Sequence, residues 1–171
     1  VIIAAVGADA KKPALEGLEN AVHALDAYDP SFRCGRRVVV VGGSNHAAET
    51  GVYLAARDDV EKVTVLRVNA EGVTDPRAVN IIRRKMIADG IGIVDDERFV
   101  RIEPGCVVTD KDRYEADTIV YHLGMEPRKD TLTRISEWAG GIPVVAVGDC
   151  KAARVVANAI REGYVAAMEI S

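Results

Sequence analysis

The chain has 171 residues, with 22 Lys and Arg against 26 Asp and Glu for a formal charge of −4, and that length suffices for one sizeable core. Charges of both signs are interspersed and aromatics are few, which excludes the basic, stacking surface of a nucleic-acid binder and the basic face of a membrane-surface protein. No apolar run approaches the roughly 18 residues of a membrane span, and no basic leader with a short apolar stretch is seen. Cys34, Cys106 and Cys150 are too few and too scattered for a disulfide framework or a zinc site. A soluble cytoplasmic protein with ordinary thiols and no metal centre is expected.

Val1 to Ala5 is a continuous apolar run, as in a strand buried on both faces, and Gly7 ends it. A chain that starts inside a strand, without Met, reads as a piece excised from something longer. Leu18 to Arg37 looks like a connector with a short helical piece. Val38 to Val41 are four β-branched residues running into Gly42 and Gly43, the mark of a buried strand and tight turn. A helix is predicted over His46 to Arg57, where Ala48, Val52 and Ala55 recur at helical spacing.

Val63 to Val68 is the next strand. Asp75 offers an N-cap, Pro76 suits the first helical position, Val79, Ile82 and Met86 share one face, and Gly90 fits just past the helix end. Ile91 to Val94, Phe99 to Glu103, Cys106 to Thr109 and Asp117 to Leu123 read as short strands, with Pro104 and Gly105 forming a turn. Pro143 to Val147 is a last strand, followed by Gly148, Asp149 and a helix from about Ala152 to Ile170 that must pack outside the middle domain. The alternation predicts an α/β fold: a central parallel sheet with helices on both faces, plus an antiparallel hairpin.

The stretch VVVVGGSNHA, Val38 to Ala47, has the strand, glycine turn and helix start of a Rossmann-type dinucleotide site in modified form. Such a turn needs one Gly for the bend, a second for close approach of the pyrophosphate, and a third for helix against strand packing. Gly42, Ser44 and Ala47 hold those places. The Ser44 hydroxyl can donate to a phosphate oxygen, or its side chain can crowd the ligand out.

About 20 residues beyond the motif, where an acid usually takes the ribose hydroxyls of NAD, stands Arg67. A guanidinium pairs with a 2′-phosphate and cannot accept from a diol, which favours NADPH over NADH, with Arg83 and Arg84 as helpers. The other reading is a solvated arginine. Glu49 is expected in the first helical turn, at the positive dipole end, as a ligand contact or a simple cap. His46, at the helix start, contacts a phosphate or is merely exposed. His122, before Gly124, reads as a core histidine.

The order IIAAVGAD, VVVVGGSNHAAETG, VTVLRV, LGMEP, VVAVGDC, ANAIREGYVAAMEI resembles the C-terminal part of flavin-dependent NAD(P)H oxidoreductases of the 2-enoate and 2,4-dienoyl-CoA reductase type, within the pyridine nucleotide-disulfide oxidoreductase superfamily. The resemblance implies a nicotinamide dinucleotide domain over residues 33–123 inserted into a flavin domain, of which 1–32, with its connector, and 124–171 are returning segments. It implies a dinucleotide held by Gly42, Gly43, Ser44, Asn45, His46, Ala47, Glu49 and Arg67. The flavin of FAD would meet Gly124, Gly148 and Asp149, with Asp149 otherwise a plain N-cap. An FMN site and an iron–sulfur cluster are expected upstream of this chain.

Hydride would then pass from NADPH or NADH to FAD, and the chain alone would be inactive. Its partners would be the dinucleotide and the remaining flavin-binding part, with no nucleic acid or membrane, and with homo-oligomers left open. The departures at Ser44 and Arg67 sustain an alternative: a degenerate module kept for packing or oligomer contacts. No catalytic residue is assigned, and without a CxxC pair disulfide reduction is not expected of this chain.

Overall fold

A computed structural model describes residues 1–67 and 76–170. In chain order its elements are strands β1 (Ile2–Ala4), β2 (Ala8–Ala10) and β3 (Val22–His23), helix α1 (Ala24–Ala27), β4 (Arg37–Val41), α2 (Asn45–Ala55), β5 (Lys62–Leu66), α3 (Pro76–Ala88) and β6 (Gly92–Val94). There follow β7 (Phe99–Glu103), β8 (Cys106–Thr109), β9 (Arg113–Glu115), β10 (Thr118–Tyr121), β11 (Met125–Pro127), α4 (Lys129–Trp138), β12 (Val144–Ala146) and α5 (Val156–Met168). The chain forms two compact units, Lys12–Gly124 and Val1–Lys11 with the chain from Met125.

The central unit is built on a parallel sheet in the order β3-β10-β4-β5-β6. Its valine runs serve two cores, because alternate side chains of a strand point to opposite faces. Val38 and Val40 pack with Ala47, Ala48 and Leu54 of α2 and Met86 of α3. Val39 and Val41 pack with Leu66, Ile102, Val107 and Tyr121. The helices α1, α2 and α3 thus cover one face, and the other carries an antiparallel sheet β7-β8-β9 where further helices were expected. Residues 97–115 alternate over short runs broken at Gly105 (φ +75°), a rhythm too short for a helix.

The expected hairpin gains a third strand, β9, whose sequence Arg-Tyr-Glu has a single half-buried aromatic between two charges, too little for an alternation pattern. The connector contains β3, two residues pairing with β10 at the sheet edge, too short for an alternation pattern to show. β5 ends at Leu66; Val68 and the Asp75 cap lie outside the described residues. The end of α3 is as expected: Gly90 has φ +71°, its N–H bonds to Ile87 O at 3.1 Å, and the Ile91 N–H bonds to Met86 O at 2.9 Å, a Schellman closure.

In the outer unit β1 pairs in parallel with β12, and β2 pairs antiparallel with β11. β1 was expected to be buried on both faces, but β12 is its one strand neighbour and only Ala4 is buried. α4 was not anticipated from the sequence. The last helix begins at Val156 rather than near Ala152, because Gly148–Cys150 forms a 3-10 turn first. Among the described residues no helix is long and apolar enough to cross a membrane.

Candidate dinucleotide site

The four valines of β4 run directly into Gly42, whose N–H bonds to Leu66 O at 2.9 Å. Gly42 has φ +155°, and a Cβ there would lie 2.3 Å from the carbonyl oxygen of His122 and 3.0 Å from Ala47 Cβ. Only glycine fits where three segments meet so closely. Gly43 is buried, and Ala47 is wholly buried against the sheet, the packing that the third position of such a turn requires.

Ser44 is the N-cap of α2, its Oγ accepting from the Ala47 N–H at 3.4 Å. The same Oγ lies 3.1 Å from His122 Nδ1. The hydroxyl is therefore engaged by the protein itself, an arrangement neither sequence alternative included. Asn45 and His46 open the helix, where backbone N–H groups have no intrahelical acceptor and the dipole is positive. The turn thus offers a surface suited to an anion. Glu49 is exposed and lies at the fifth helical position, beyond the first turn where it was expected, because α2 starts at Asn45. It cannot cap from there.

The three histidines of the chain form a file at the C-terminal ends of the strands. His23 ends β3, His122 follows β10, and His46 stands in the first turn of α2. The His46 and His122 rings are stacked with centroids 4.9 Å apart, and His122 and His23 are 5.5 Å apart. His23 also meets the Tyr121 ring edge-on at 5.1 Å. Its Nδ1 accepts from the Leu25 N–H at 3.2 Å, so the ring proton is on Nε2, which is buried without a partner.

Burial, reinforced by His46 and His23, pushes the His122 pKa down to about 4. His23 is also lowered, chiefly by burial, against the opposing pull of Asp26 and with a small added push from Lys12. Both rings are neutral near pH 7. His122 is the buried histidine the sequence suggested, but with a polar contact to the turn that the sequence did not show.

Arg67 and Arg83 share one carboxylate: Arg67 Nη1 donates to Asp95 Oδ1 at 3.2 Å and Arg83 Nη1 to Asp95 Oδ2 at 2.8 Å. The Arg67 side chain is 24% exposed, so it is neither solvated nor waiting unpaired. Both arginines line a narrow pocket with Ser44, Asn45, Ala48 and Met86. Sequence reasoning missed Asp95. The available signal was its place directly after β6, since parallel strands bring their C-terminal ends to one edge, where ligands of such sheets bind.

Gly124, with φ +104°, closes the central unit. In the outer unit Gly148 has φ +67°, its N–H donates to Glu162 Oε2 at 2.8 Å, and a Cβ on it would come within 3.3 Å of Ala159 Cβ. Arg154 and the Gly148 N–H hold the Glu162 carboxyl below the usual carboxylate range. Asp149 Oδ1 accepts from the Arg154 N–H at 3.3 Å. It does not cap α5, whose N-cap is Val155. Cys34, Cys106 and Cys150 are free thiols, and no metal-binding cluster of His, Cys, Asp or Glu occurs among the described residues.

The sequence profile of the family described as "pyridine nucleotide-disulphide oxidoreductase" matches residues 1–163. A solved 2-naphthoyl-CoA reductase in complex with 2-naphthoyl-CoA superimposes with a TM-score of 0.81 at 23% identity, over 98% of this chain and 26% of that one. The 6-hydroxypseudooxynicotine amine oxidase of Pseudomonas geniculata N1 gives 0.78 at 22% identity, over 99% of this chain and 29% of that one. The thioredoxin reductase of Lactococcus lactis gives 0.70 at 22% identity, over 98% of this chain and 64% of that one. These likenesses establish the fold, and this chain spans about a quarter of the first two chains. No curated protein sequence matches it.

Proposed function

As the chain belongs to the pyridine nucleotide-disulphide oxidoreductase family, we propose that it is the nicotinamide-dinucleotide region of a larger cytoplasmic flavin-dependent oxidoreductase, of the enoate and dienoyl-CoA reductase type. In this reading Lys12–Gly124 holds NAD(P)H, and the outer segments are parts of the flavin domain into which it is inserted. FMN and an iron–sulfur cluster belong to upstream parts of the parent protein. When bound, NAD(P)H supplies a hydride and FAD accepts it.

The observation that carries the reading is the junction of two features in one pocket: the start of α2 at Ser44 and Asn45, directly after the glycine turn, and the Arg67 and Arg83 pair. The residues fit the group. The amides at Asn45 and His46 and the dipole of α2 suit the pyrophosphate. Ala48 and Met86 close the floor of the narrow pocket, and the two guanidiniums at it suit a 2′-phosphate. For that phosphate to be held, Asp95 must yield its two hydrogen bonds, so a dianion competes where an uncharged diol does not. This makes the site selective for NADPH. Gly148 and Asp149 are assigned to the flavin side, where the Gly148 conformation excludes side chains.

The second reading is a degenerate module that binds no dinucleotide, and it draws on the same contacts: Ser44 already satisfied by His122 and Ala47, and both arginines already paired with Asp95. Titrating the chain with NADPH and NADH while following nicotinamide fluorescence separates the two. Saturation by NADPH at lower concentration than NADH is expected. Arg67→Gln should weaken NADPH by about tenfold to a hundredfold, the value of one or two lost charge-assisted hydrogen bonds, and leave NADH unchanged. Absence of binding by either at millimolar levels establishes the module reading, and tighter NADH overturns the role of Arg67.

A further inference from the structure

Ser44 stands in the turn beside the amides assigned to the pyrophosphate, and its hydroxyl has a single proton to donate. Its contact with His122 Nδ1 at 3.1 Å can be made in two ways. Either the hydroxyl donates to an unprotonated Nδ1, which uses the proton, or an Nδ1–H donates to Oγ, which frees it. Neutral His122 permits both. A protonated ring permits only the second, because both nitrogens then carry hydrogen.

The surroundings sharpen this choice. On one side of His122 lies the stacked ring of exposed His46 on α2, and on the other lies His23 on β3. Beyond His23 the charged groups acting on this end are Asp26 and Lys12, and Tyr121 packs edge-on against His23. No carboxylate forms an ion pair with any of the three rings among the described residues. The missing counter-charge is negative, and the anion surface at the start of α2 is beside it.

Resting on the dinucleotide reading, we propose that His122 is a positioning residue for the pyrophosphate, and that binding takes up a proton onto His122, the ring in contact with Ser44. The proton comes from solvent. It converts His122 to a fixed donor toward Ser44 Oγ, turns the Ser44 O–H to the phosphate oxygen, and places a positive charge one ring away. His23 takes no proton in this exchange: its Nδ1 is committed to the Leu25 N–H and its other face is closed. Affinity therefore rises as pH falls, by up to about tenfold for each unit by which the anion raises the pKa of His122.

The test is calorimetric titration of the chain with ADP-ribose, whose pyrophosphate diester does not itself titrate in this interval, at about pH 5.5 and about pH 8. Two buffers of different ionisation enthalpy at each pH give the number of protons taken up. Net uptake and tighter binding at the lower pH are expected, with both reduced in His46→Gln and abolished in His122→Gln. His46 is exposed, so that variant stays informative if His122→Gln does not fold. Ser44→Gly, which restores the bare turn and leaves only the charge of the His122 ring, should bind with a weaker pH dependence. Binding of equal strength at both pH values without proton uptake overturns the coupling and leaves the dinucleotide reading intact. No binding of ADP-ribose at either pH overturns the coupling, and the fluorescence titration with NADPH decides the dinucleotide reading separately.

Discussion

In the central unit Val40, Leu54, Val65 and Leu66 are fully buried, whereas in the outer unit Trp138 and Val156 are each 75% exposed and Ile160, Tyr164 and Met168 nearly as much. The residues the outer unit does bury are small or of middle size: Ala4, Ala139, Val147, Cys150 and Ala166. The cause is layering. A five-stranded sheet with helices on one face and a three-stranded sheet on the other closes two cores by itself. Two separate strand pairs with two helices cannot, since a two-stranded pairing has little face to cover. The outer unit has the apolar helix of a packed domain without the packing, in keeping with its assignment as part of a flavin domain.

The contrast breaks first at the core. Leu54→Ala removes a side chain with no exposure and should cost about 2–5 kcal/mol. Ile160→Ala in the outer unit, at a 68% exposed position, should change stability by less than about 0.5 kcal/mol. Denaturant midpoints of both variants at constant slope measure the difference. Comparable losses would show that α5 is packed in solution and that the two units do not differ in this way.

Acid sharpens the same contrast through the two buried histidines, both of which belong to the central unit. His122 has a folded pKa of about 4, below the usual unfolded value of about 6.5. The unfolded chain therefore takes the proton first. The contribution of the neutral ring is fully present above about pH 6.5 and is lost as pH falls toward about 4, with an upper bound of about 3 kcal/mol. His23 acts in the same sense. Unfolding of the central unit followed from pH 7 to pH 4 should show this decline, and His122→Gln should flatten it. The smallest effect belongs to surface ion pairs such as Lys85 with Asp89, spaced for one helical turn. Lys85→Ala should shift stability by no more than about 0.5 kcal/mol.

The parts of the fold that sequence reasoning recovered are those whose signal is local. The valine run into Gly42, and Gly90 at the end of α3, each carry their cause within a few residues. β3 and β9 escaped because Val22–His23 and Arg113–Glu115 acquire strand geometry only from their neighbours β10 and β8. The site divides along the same line. The tight bend at Gly42 and the packing of Ala47 follow from spacing, whereas the engagement of Ser44 by His122 does not. The file of His23, His122 and His46, and the sharing of Asp95 by two arginines, arise only when the C-terminal ends of parallel strands meet. Glu49 was displaced by a single feature, the helix start at Asn45 rather than beyond it.

The trio of Arg67, Asp95 and Arg83 has a consequence for how a ligand arrives. Within this trio two guanidiniums face one carboxylate, a surplus of one positive charge, in a chain whose net charge is −4. Such a local inversion of sign draws an anion toward this edge and repels it from most of the remaining surface. Its reach is about one Debye length, roughly 8–10 Å at physiological salt and shorter as salt is added. Encounter at this edge should thus be quickest in dilute buffer, with the direction of approach set before any hydrogen bond is made.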